Sequence, residues 1–397
     1  RKRQGQLHTQ AVMPWFGAMN LLLDAFRKLT QGSFLDATRL VQGHGNKSVE
    51  AGRKLWKLSR VADSIPAVRE RILDVTPETA RQTLEALESD PDGRLFLSAF
   101  SKYLDDYGWR SDLFDFSMPT WAENPSIPLS QLRVYLEMED YDPDRELDRQ
   151  RHERDQAIEV TLAVVEPEDR RRFEDVLEVA TSLSPLQEDH NFYIDQRLAF
   201  TPRRLVLAIG RRLTSDGHID EPPDVFYLRV SHVRAALNSE SDDYRDVVEA
   251  HKKDMARWAK AKPPAYIGAP RPTGISGFSL FDGRNHFRAD QPNVLRGNPS
   301  SPGTASGPAR ILMNLSQADR LKPGDVLVAR TTMPAWTPLF GVASAIVVET
   351  GGILSHAAVT AREYGIPAVL GVANATTAIR DGQLLEVSGS EGRIRIL

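Results

Sequence analysis

Residues 350–367 read Thr-Gly-Gly-Ile-Leu-Ser-His-Ala-Ala-Val-Thr-Ala-Arg-Glu-Tyr-Gly-Ile-Pro. Two glycines, a Ser-His pair and an alanine-rich run predict a strand that ends in an open loop and turns into a helix with His356 at its start. Such a helix start places an imidazole beside free backbone N–H groups and the positive end of the helix dipole. Because this setting favours an anion such as a phosphoryl group, the sequence predicts that His356 is phosphorylated.

Other residues of the same stretch fit this chemistry. The glycines permit close backbone approach, the serine can cap the helix and donate to an oxyanion, and the arginine is a possible phosphate partner within two turns. A metal site would need more ligands, and residues 297–397 hold no other histidine and no cysteine. We therefore predict a catalytic His356, no metal site, and a set of phosphoryl-supporting residues consisting of Thr350, Gly351, Gly352, Ser355 and Arg362.

The composition is that of an ordinary soluble protein, with 41% hydrophobic and 26% charged residues and a formal net charge of -4 among 397 residues. No basic face for nucleic acid is implied. The lack of cysteine excludes disulfides and thiolate metal sites. No run approaches the roughly 18 apolar residues of a membrane span, and residues 1–10 lack the apolar core of a signal peptide. We expect a cytoplasmic protein without membrane or nucleic-acid partners, and, because the chain begins at Arg1 and not at methionine, a missing upstream segment.

Three regions differ in periodicity and composition. Residues 1–261 repeat apolar side chains at helical spacing and predict a mainly α-helical domain. Residues 262–296 alternate proline with glycine, which favours a semi-rigid linker over a helix or a central strand. Residues 297–397 switch to short strands with turns and predict a compact α/β domain. A linker of this length is long enough to carry the small domain between two sites.

Two features of the helical region are candidates for binding. Residues 108–128 form a loop rich in aromatic side chains, which either packs under helices or lines a concave pocket. A long helix predicted at 187–213 carries His190, Tyr193 and Arg197 on one face, since they are spaced by three and four residues. This stripe indicates either a general base with anion-binding help or a hydrogen-bonded structural face. Both pairs of interpretations stay open.

The stretch at 350–367 resembles the phosphohistidine motif of the mobile domain in phosphoenolpyruvate-utilising enzymes, a family that includes phosphoenolpyruvate synthase, pyruvate phosphate dikinase, rifampin phosphotransferase and phenylphosphate synthase. The segments Ser301-Pro302-Gly303 and Gly324-Asp325-Val326 extend the resemblance over the last hundred residues. In the helical region, Tyr107-Gly108-Trp109-Arg110 and Trp121-Ala122-Glu123-Asn124-Pro125 resemble the acceptor-binding domain of rifampin-phosphotransferase-like proteins, with Trp109 in the place of a histidine.

The resemblance implies a multidomain chain, with a mainly α-helical acceptor-binding domain followed by a small α/β swivelling phosphohistidine domain. It also implies a dikinase-type phosphotransferase that takes a phosphoryl group from ATP, with AMP and phosphate as products, and carries it on His356. ATP and Mg²⁺ bind to an ATP-grasp domain in this family. Residues 1–260 contain no glycine-rich phosphate loop near a metal-binding set, so we expect both cofactors on an ATP-grasp domain or subunit outside this chain.

By the same resemblance, the helical region binds a small hydroxyl-bearing acceptor. We predict His190 as the base, Arg197 or Arg110 as partners of the phosphoryl oxygens, and an acceptor site completed by Tyr193, Trp109 and Trp121. The aromatic loop favours a phenol-like acceptor, as in phenylphosphate synthase. Three alternatives remain: an antibiotic-inactivating enzyme like rifampin phosphotransferase, a phosphocarrier module without its own acceptor, and a catalytically silent scaffold.

Overall fold

A computed structural model of the chain describes residues 2–112, 115–138, 140–238, 243–261 and 293–397. Of the predicted linker at 262–296, residues 262–292 therefore lie outside the described residues. By their internal contacts, residues 2–112, 120–196 and 293–397 form one compact unit, and residues 115–119 and 197–261 form another. This division differs from the predicted boundary between a helical and an α/β domain, because the helices before residue 197 pack directly on the C-terminal sheet.

Amphipathic helices make up the first part of the first unit. They begin where the sequence supplies a cap: the Asn46 side chain, for example, accepts hydrogen bonds from the N–H groups of Ser48 and Val49 at 3.0 Å and starts α3. The helices are α1 (Lys2–Thr30), α2 (Phe34–Arg39), α3 (Lys47–Asp63), α4 (Pro66–Leu73), α5 (Ala80–Glu88), α6 (Pro91–Tyr107), α7 (Ser126–Leu136), α8 (Pro143–Val164), α9 (Pro167–Leu183) and α10 (Leu186–His190).

The long helix predicted at 187–213 is interrupted. A π-helical turn at Asn191–Gln196 follows α10, and α11 (Arg197–Ser215) begins after it. The turn of a π-helix is wider than that of an α-helix. His190, Tyr193 and Arg197 were predicted to share one face on the basis of α-helical spacing. That spacing does not apply across the π-helical turn.

The second unit contains α11, a 3₁₀ helix at Pro222–Tyr227, α12 (Val230–Leu237) and α13 (Arg245–Ala259). Its own small core is apolar and includes Leu213, Ile219, Val225, Tyr244 and Val248. Within this unit the guanidinium of Arg203 donates to the carbonyl oxygens of Phe116 and Ser117 at 3.0 and 2.7 Å.

The C-terminal part of the first unit is built on a mixed sheet, so the predicted fold class, a helical region followed by a small α/β domain, is confirmed. The described strands lie in the order β1-β8-β7-β3-β4-β5-β6-β2, with β3 to β6 parallel to one another and the other pairings antiparallel. The strands are β1 (Val294–Arg296), β2 (Asn298–Ser301), β3 (Thr304–Leu312), β4 (Val326–Ala329), β5 (Ala345–Val348), β6 (Ala368–Leu370), β7 (Leu384–Ser388) and β8 (Arg393–Ile396).

Short helices connect these strands. A 3₁₀ helix spans Leu315–Arg320, another spans Pro334–Trp336, and three α-helices follow: α14 (Thr337–Phe340), α15 (His356–Glu363) and α16 (Ala375–Ala378). The central strands β4 and β5 are buried along their whole length, which explains why they appear in the sequence as continuous apolar runs.

The helices and the sheet share one hydrophobic core. Leu55 and Phe100 from the helices belong to the same buried cluster as Leu339, Phe340 and Tyr364 from the C-terminal part. Polar contacts reinforce the packing, since the hydroxyl of Tyr135 donates to the carbonyl oxygen of Pro338 at 2.9 Å. None of the helices among the described residues combines the length and the hydropathy that a membrane crossing requires.

Candidate active site at His356

The loop between β5 and α15 has the open, glycine-dependent shape that the sequence indicates. Gly351 has a φ of 100°, and a Cβ there would lie 2.8 Å from Oγ of Ser355. Two hydrogen bonds fix the loop: Oγ1 of Thr350 donates to the carbonyl oxygen of Arg330 at 3.1 Å, and the N–H of Ser355 donates to the carbonyl oxygen of Gly352 at 3.0 Å. The loop backbone therefore folds tightly in front of the helix that carries His356.

His356 is the first residue of α15, as predicted, and Ser355 occupies the preceding cap position with extended backbone angles. The predicted side-chain cap is not formed: Oγ of Ser355 accepts no hydrogen bond from the helix and is buried without a partner among the described residues. The hydroxyl of Ser355 therefore has no hydrogen-bond partner among the described residues, although it lies next to the positive end of the helix dipole.

The imidazole of His356 faces a carboxylate on the helical region. Its Nδ1 lies 2.5 Å from Oε2 of Glu188, and Oγ1 of Thr360 lies 3.4 Å from the same nitrogen. Because a carboxylate only accepts hydrogen bonds, Nδ1 carries the proton, and Nε2 keeps its lone pair in the neutral ring. Nε2 is buried without a partner among the described residues, and the side chain is 12% exposed.

Glu188 is held in place on α10 and is completely buried. Its Oε2 also accepts a hydrogen bond from Oγ of Ser48 at 3.2 Å, whereas Oε1 has no partner in the part of the chain that the structure describes. The nearby guanidinium of Arg110 is buried too, and burial lowers the pKa of Arg110 while the charge of Glu188 opposes that shift. A buried carboxylate with one free oxygen is therefore positioned beside the imidazole.

Contacts on both sides of this pair hold α15 and its loop against the helical region. The side-chain nitrogen of Gln187 donates to the carbonyl oxygen of Leu354 at 3.0 Å. At the other end of α15, the carboxylate of Glu363 accepts the backbone N–H groups of Gly43 and Gly45 at 3.0 and 3.2 Å. Burial raises the pKa of Glu363, although these N–H donors and Arg362 oppose the shift. His356 thus lies in a docked interface.

Arg362, predicted to contact the phosphoryl group, is used differently. Its Nη1 donates to the carbonyl oxygens of Ser300 and Ile353 at 2.7 and 3.0 Å. The side chain is buried, and burial lowers the pKa of Arg362 to about 10. In this arrangement the guanidinium connects α15 to β2 and to the loop before the helix, because it donates to one buried and one partly buried carbonyl oxygen.

His190, the predicted base, does not face His356 in the structure. Its Nδ1 lies 2.7 Å from the carbonyl oxygen of Leu186, and its ring makes an edge contact with that of His8 at a centroid distance of 4.6 Å. Burial lowers the pKa of His190. The group that reaches His356 is Glu188, two residues earlier on the same helix.

Three of the other predicted acceptor residues contact one aromatic ring, that of Phe192. Tyr193 is 48% exposed and contacts the ring of Phe192, while Arg197 is exposed in the second unit. Trp109 packs against Phe192 with a centroid distance of 4.5 Å. Tyr193, Trp109 and the guanidinium of Arg110 thus meet around the ring of Phe192, whereas no described hydrogen bond or ring contact joins them to the His356 imidazole.

Arg110 and Trp121 are fully buried. The guanidinium of Arg110 donates to the carbonyl oxygens of Lys47 and Pro334 at 3.1 and 3.4 Å and lies 5.7 Å from the ring of Trp121. These two residues therefore have the packing role that was one of the two interpretations of the aromatic loop. Arg110 also links the helical region to the 3₁₀ helix that precedes α14.

A small cleft, partly open to solvent, lies beside the docked helix α15. Its lining includes Trp15, His44, Gln187 and Arg362 but not His356. Burial, followed by the positive charges of two neighbouring arginines, lowers the pKa of His44 to about 4. The cleft therefore carries a neutral imidazole near physiological pH.

Sequence reasoning missed Glu188 and Ser48 as partners of His356. In the sequence Glu188 is one polar residue among several at the start of the helix predicted at 187–213, and it lies 168 residues from His356. The cap at Asn46, which accepts the backbone N–H of Ser48, is a local signal for a helix start but gives none for the contact of the Ser48 hydroxyl with Glu188.

Comparisons with known proteins agree with this architecture. Residues 7–188 match the family model described as rifampicin phosphotransferase fourth domain, and residues 321–392 match that of the PEP-utilising enzyme mobile domain. The second match contains His356 and the whole of α15. The first contains Glu188 at its last residue, so the pair described above joins the two matched regions.

Similar curated proteins cover nearly all of the chain. The uncharacterized phosphotransferase YvkC of Bacillus subtilis is 34% identical over 90% of this chain and 43% of its own length. A rifampicin phosphotransferase of Streptomyces sviceus is 32% identical over 91% of this chain and 41% of its own. Chondramide synthase cmdD of Chondromyces crocatus is 34% identical over 100% of this chain and 10% of its own.

The chain therefore spans less than half the length of these curated relatives. Its two matched regions nevertheless stand in one chain, with the histidine on one and the carboxylate that it contacts on the other. On these matches, the chain belongs to the PEP-utilising enzyme family.

Proposed function

We propose that this chain is the phosphohistidine-carrying and acceptor-binding part of a phosphotransferase. The observation that carries the proposal is the hydrogen bond between Nδ1 of His356 and the buried carboxylate of Glu188. It places the candidate nucleophile of the mobile domain against the helical region, and it selects the tautomer in which Nε2 has a free lone pair.

In the loading step, Nε2 of His356 attacks phosphorus in line, and the N–P bond forms as the P–O bond to the leaving group breaks. The donor is ATP, bound with Mg²⁺ by an ATP-grasp domain outside residues 1–397, on the same polypeptide or on a partner. Nε2 is buried in the docked arrangement. Loading therefore requires the C-terminal domain to leave this position, which is the swivelling motion proposed for it.

The start of α15 receives the phosphoryl oxygens in this proposal. The unpartnered hydroxyl of Ser355 and the free N–H groups at the helix start are donors next to His356. Gly351 and Gly352 keep the loop in front of them free of side chains, and Thr350 holds the loop to the neighbouring strand end. Arg362 supports this site indirectly, because it donates to the carbonyl oxygen of Ile353 in the loop.

In the transfer step, the Glu188 carboxylate keeps the proton on Nδ1 while His356 carries the phosphoryl group on Nε2. When the acceptor hydroxyl attacks phosphorus, the N–P bond breaks and the ring leaves as neutral imidazole, a better leaving group than the imidazolate anion. The O–P bond forms on the side of phosphorus that faces away from the ring, and the acceptor proton passes to a phosphoryl oxygen and from there to water, since Glu188 lies on the Nδ1 side of the imidazole.

The acceptor is a hydroxyl-bearing small molecule. A phenol fits the aromatic side chains near this region, such as Trp109 and Phe192. The names of the relatives called rifampicin phosphotransferase favour a hydroxylated antibiotic instead. We therefore propose a phosphotransferase of the rifampicin-phosphotransferase type as the first candidate, on the strength of those relatives, and a phenylphosphate-synthase-like enzyme as the second.

Chemical phosphorylation tests the carrier role without the donor domain. The chain is incubated with potassium phosphoramidate, a small phosphoryl donor for histidine, and the modified residue is located by mass spectrometry under alkaline conditions. The His356→Gln variant is the control for the site, and His152→Gln is the control for an exposed histidine. We expect phosphorylation at His356 and its loss in His356→Gln alone.

A chase then tests the acceptor role. The phosphorylated chain is mixed with rifampicin or with phenol, and the decay of phosphohistidine is compared with its decay in buffer. Acceleration with formation of the phosphorylated small molecule supports an acceptor-binding enzyme. Equal decay in all three solutions favours the phosphocarrier module without an acceptor. If His356 is not phosphorylated even in a variant whose C-terminal part no longer docks on the helical region, the silent scaffold is favoured.

A further inference from the structure

A second cluster of chemically active side chains lies at the π-helical turn that follows Glu188. The cluster consists of His8 on α1, His190 at the end of α10 and Asp195 in the π-helical turn. Each residue offers one atom that can bind a metal ion, and these three atoms all lie within 4.8 Å of one another. Nδ1 of His8 is 2.9 Å from Oδ2 of Asp195, and Nε2 of His190 is 3.9 Å from the same oxygen. The three residues come from three different elements of the first unit.

The orientation of His190 is typical of a metal ligand. Its Nδ1 lies 2.7 Å from the carbonyl oxygen of Leu186, which can only accept, so Nδ1 carries the proton and Nε2 presents its lone pair. That lone pair faces the carboxylate of Asp195 at a distance too long for a hydrogen bond. Two electron-pair donors that face each other in a buried place are stabilised when a cation lies between them.

We propose that His8, His190 and Asp195 form a binding site for a divalent transition metal ion such as Zn²⁺. In a tetrahedral zinc site, bond lengths of about 2.0–2.1 Å place neighbouring ligand atoms roughly 3.3 Å apart. The observed separations of 2.9 and 3.9 Å lie on either side of this value. Two imidazoles and one carboxylate are a common ligand set for such ions, and they leave further coordination positions open.

The burial of the cluster supports a specific site. The side chains of His190 and Asp195 are 5% and 12% exposed, while that of His8 is 39% exposed and opens the cluster on one side. An ion can therefore enter past His8. Binding shifts the proton of His8 from Nδ1 to Nε2, which is free to donate to water, and so the site needs no rearrangement of the two buried ligands.

A metal ion at this place has a structural consequence for the rest of the site. It links the N-terminal part of α1 to the π-turn and, through His190, to the helix that carries Glu188. The π-turn is a local departure from α-helical geometry of a kind that often occurs at functional sites. This inference goes beyond the proposed phosphoryl transfer and does not depend on it, since His356 contributes no ligand.

The test uses the untagged chain after treatment with a chelator, titrated with Co²⁺ as a coloured substitute for Zn²⁺ and with Zn²⁺ itself by calorimetry. We expect one ion per chain, visible absorption typical of low coordination number, and a higher melting temperature with Zn²⁺. His8→Asn and Asp195→Asn should each weaken binding at least as much as the loss of an outer-shell partner does, about 10–100-fold. His152→Gln, which changes an exposed histidine outside the cluster, should bind as the unchanged chain does.

Two results overturn the proposal. In the first, the unchanged chain binds Zn²⁺ no more tightly than Asp195→Asn does. In the second, His8→Asn and Asp195→Asn both bind Zn²⁺ as tightly as the unchanged chain. His8 is partly exposed, so His8→Asn is expected to fold normally, and circular dichroism of both variants confirms this point. Because the readout is metal content, absorption and melting temperature, failure of the phosphoryl-transfer proposal leaves this test unaffected.

Discussion

The carboxylate of Glu188 lies 2.5 Å from Nδ1 of His356, and the two residues are 168 positions apart in the sequence. Glu188 is completely buried, and its second oxygen has no partner among the described residues. The arrangement resembles the carboxylate and imidazole of a catalytic triad, in which the carboxylate fixes the tautomer and stabilises the protonated ring. It makes Glu188 the residue whose replacement is the most informative.

Glu188→Gln should slow transfer from phosphorylated His356 to the acceptor by about 100-fold or more, the lower end of the range for acid–base groups. The neutral amide does not stabilise the proton on Nδ1 as the carboxylate does, so the ring becomes a poorer leaving group. The measurement is the decay of phosphohistidine in a rapid-quench experiment with the acceptor that the rifampicin and phenol chase identifies. Glu50→Gln, which changes a carboxylate bonded to Lys47 and Tyr107, is the matched control.

Nitrogen-15 NMR of the His356 ring gives a test that requires no acceptor. We expect a proton on Nδ1 in the unchanged chain, because the carboxylate accepts from that nitrogen, and a mixture of tautomers in Glu188→Gln. A ring protonated on Nε2 in the unchanged chain would contradict the assignment of the nucleophilic nitrogen.

Gly52 offers a way to open the docked interface. A Cβ at this position of α3 would lie 2.4 Å from the hydroxyl oxygen of Tyr364 and 3.7 Å from Cα of Pro338. Gly52→Val should therefore prevent close docking of the C-terminal part while improving the helix propensity of α3 itself. We expect phosphoramidate to modify His356 faster in this variant, since Nε2 is no longer buried.

The comparison variant for this experiment is Gly17→Val, because a Cβ at Gly17 of α1 meets no atom within 4 Å. It should leave the rate of modification unchanged. If Gly52→Val reacts no faster than the unchanged chain, docking does not control access to His356, and the requirement for domain movement before loading is wrong.

The parts of the site that follow from local sequence were predictable. His356 begins its helix as expected, because two glycines before it and an alanine-rich run after it are local signals for a loop and a helix start. The buried strands at Val326–Ala329 and Ala345–Val348 lie in the region where short strands are predicted, since both are short apolar runs between turns.

The parts that depend on tertiary contacts were not predictable. Strand β2 contains Asn298 and Pro299 and has no apolar alternation, so only its pairing with β6 identifies it. The π-turn at Asn191–Gln196 has no sequence signature that separates it from an α-helix. Glu188 could not be told from its polar neighbours, because its role arises from packing between regions that are distant in sequence.

Arg362→Lys distinguishes a structural from a phosphate-binding arginine. In the structure one guanidinium nitrogen serves the carbonyl oxygens of Ser300 and Ile353. A lysine ammonium has different reach and geometry, so at least one buried carbonyl should lose its donor, at a cost of about 1–3 kcal/mol. We expect a lower free energy of unfolding in denaturant for the unphosphorylated chain. Unchanged stability with slower phosphorylation would instead favour direct contact with the phosphoryl group.

His44 predicts how stability depends on pH. Burial and nearby arginines lower the pKa of His44 to about 4 in the folded chain, from the ordinary value of 6.5. Between these values the unfolded chain binds a proton that the folded chain does not, so the contribution of His44 to stability is present above pH 6.5 and falls as the pH decreases towards 4. His44→Gln removes this group. The melting temperature of the variant, measured from pH 7 to pH 4, should therefore decline less steeply than that of the unchanged chain, and parallel curves would show that His44 titrates alike in both states.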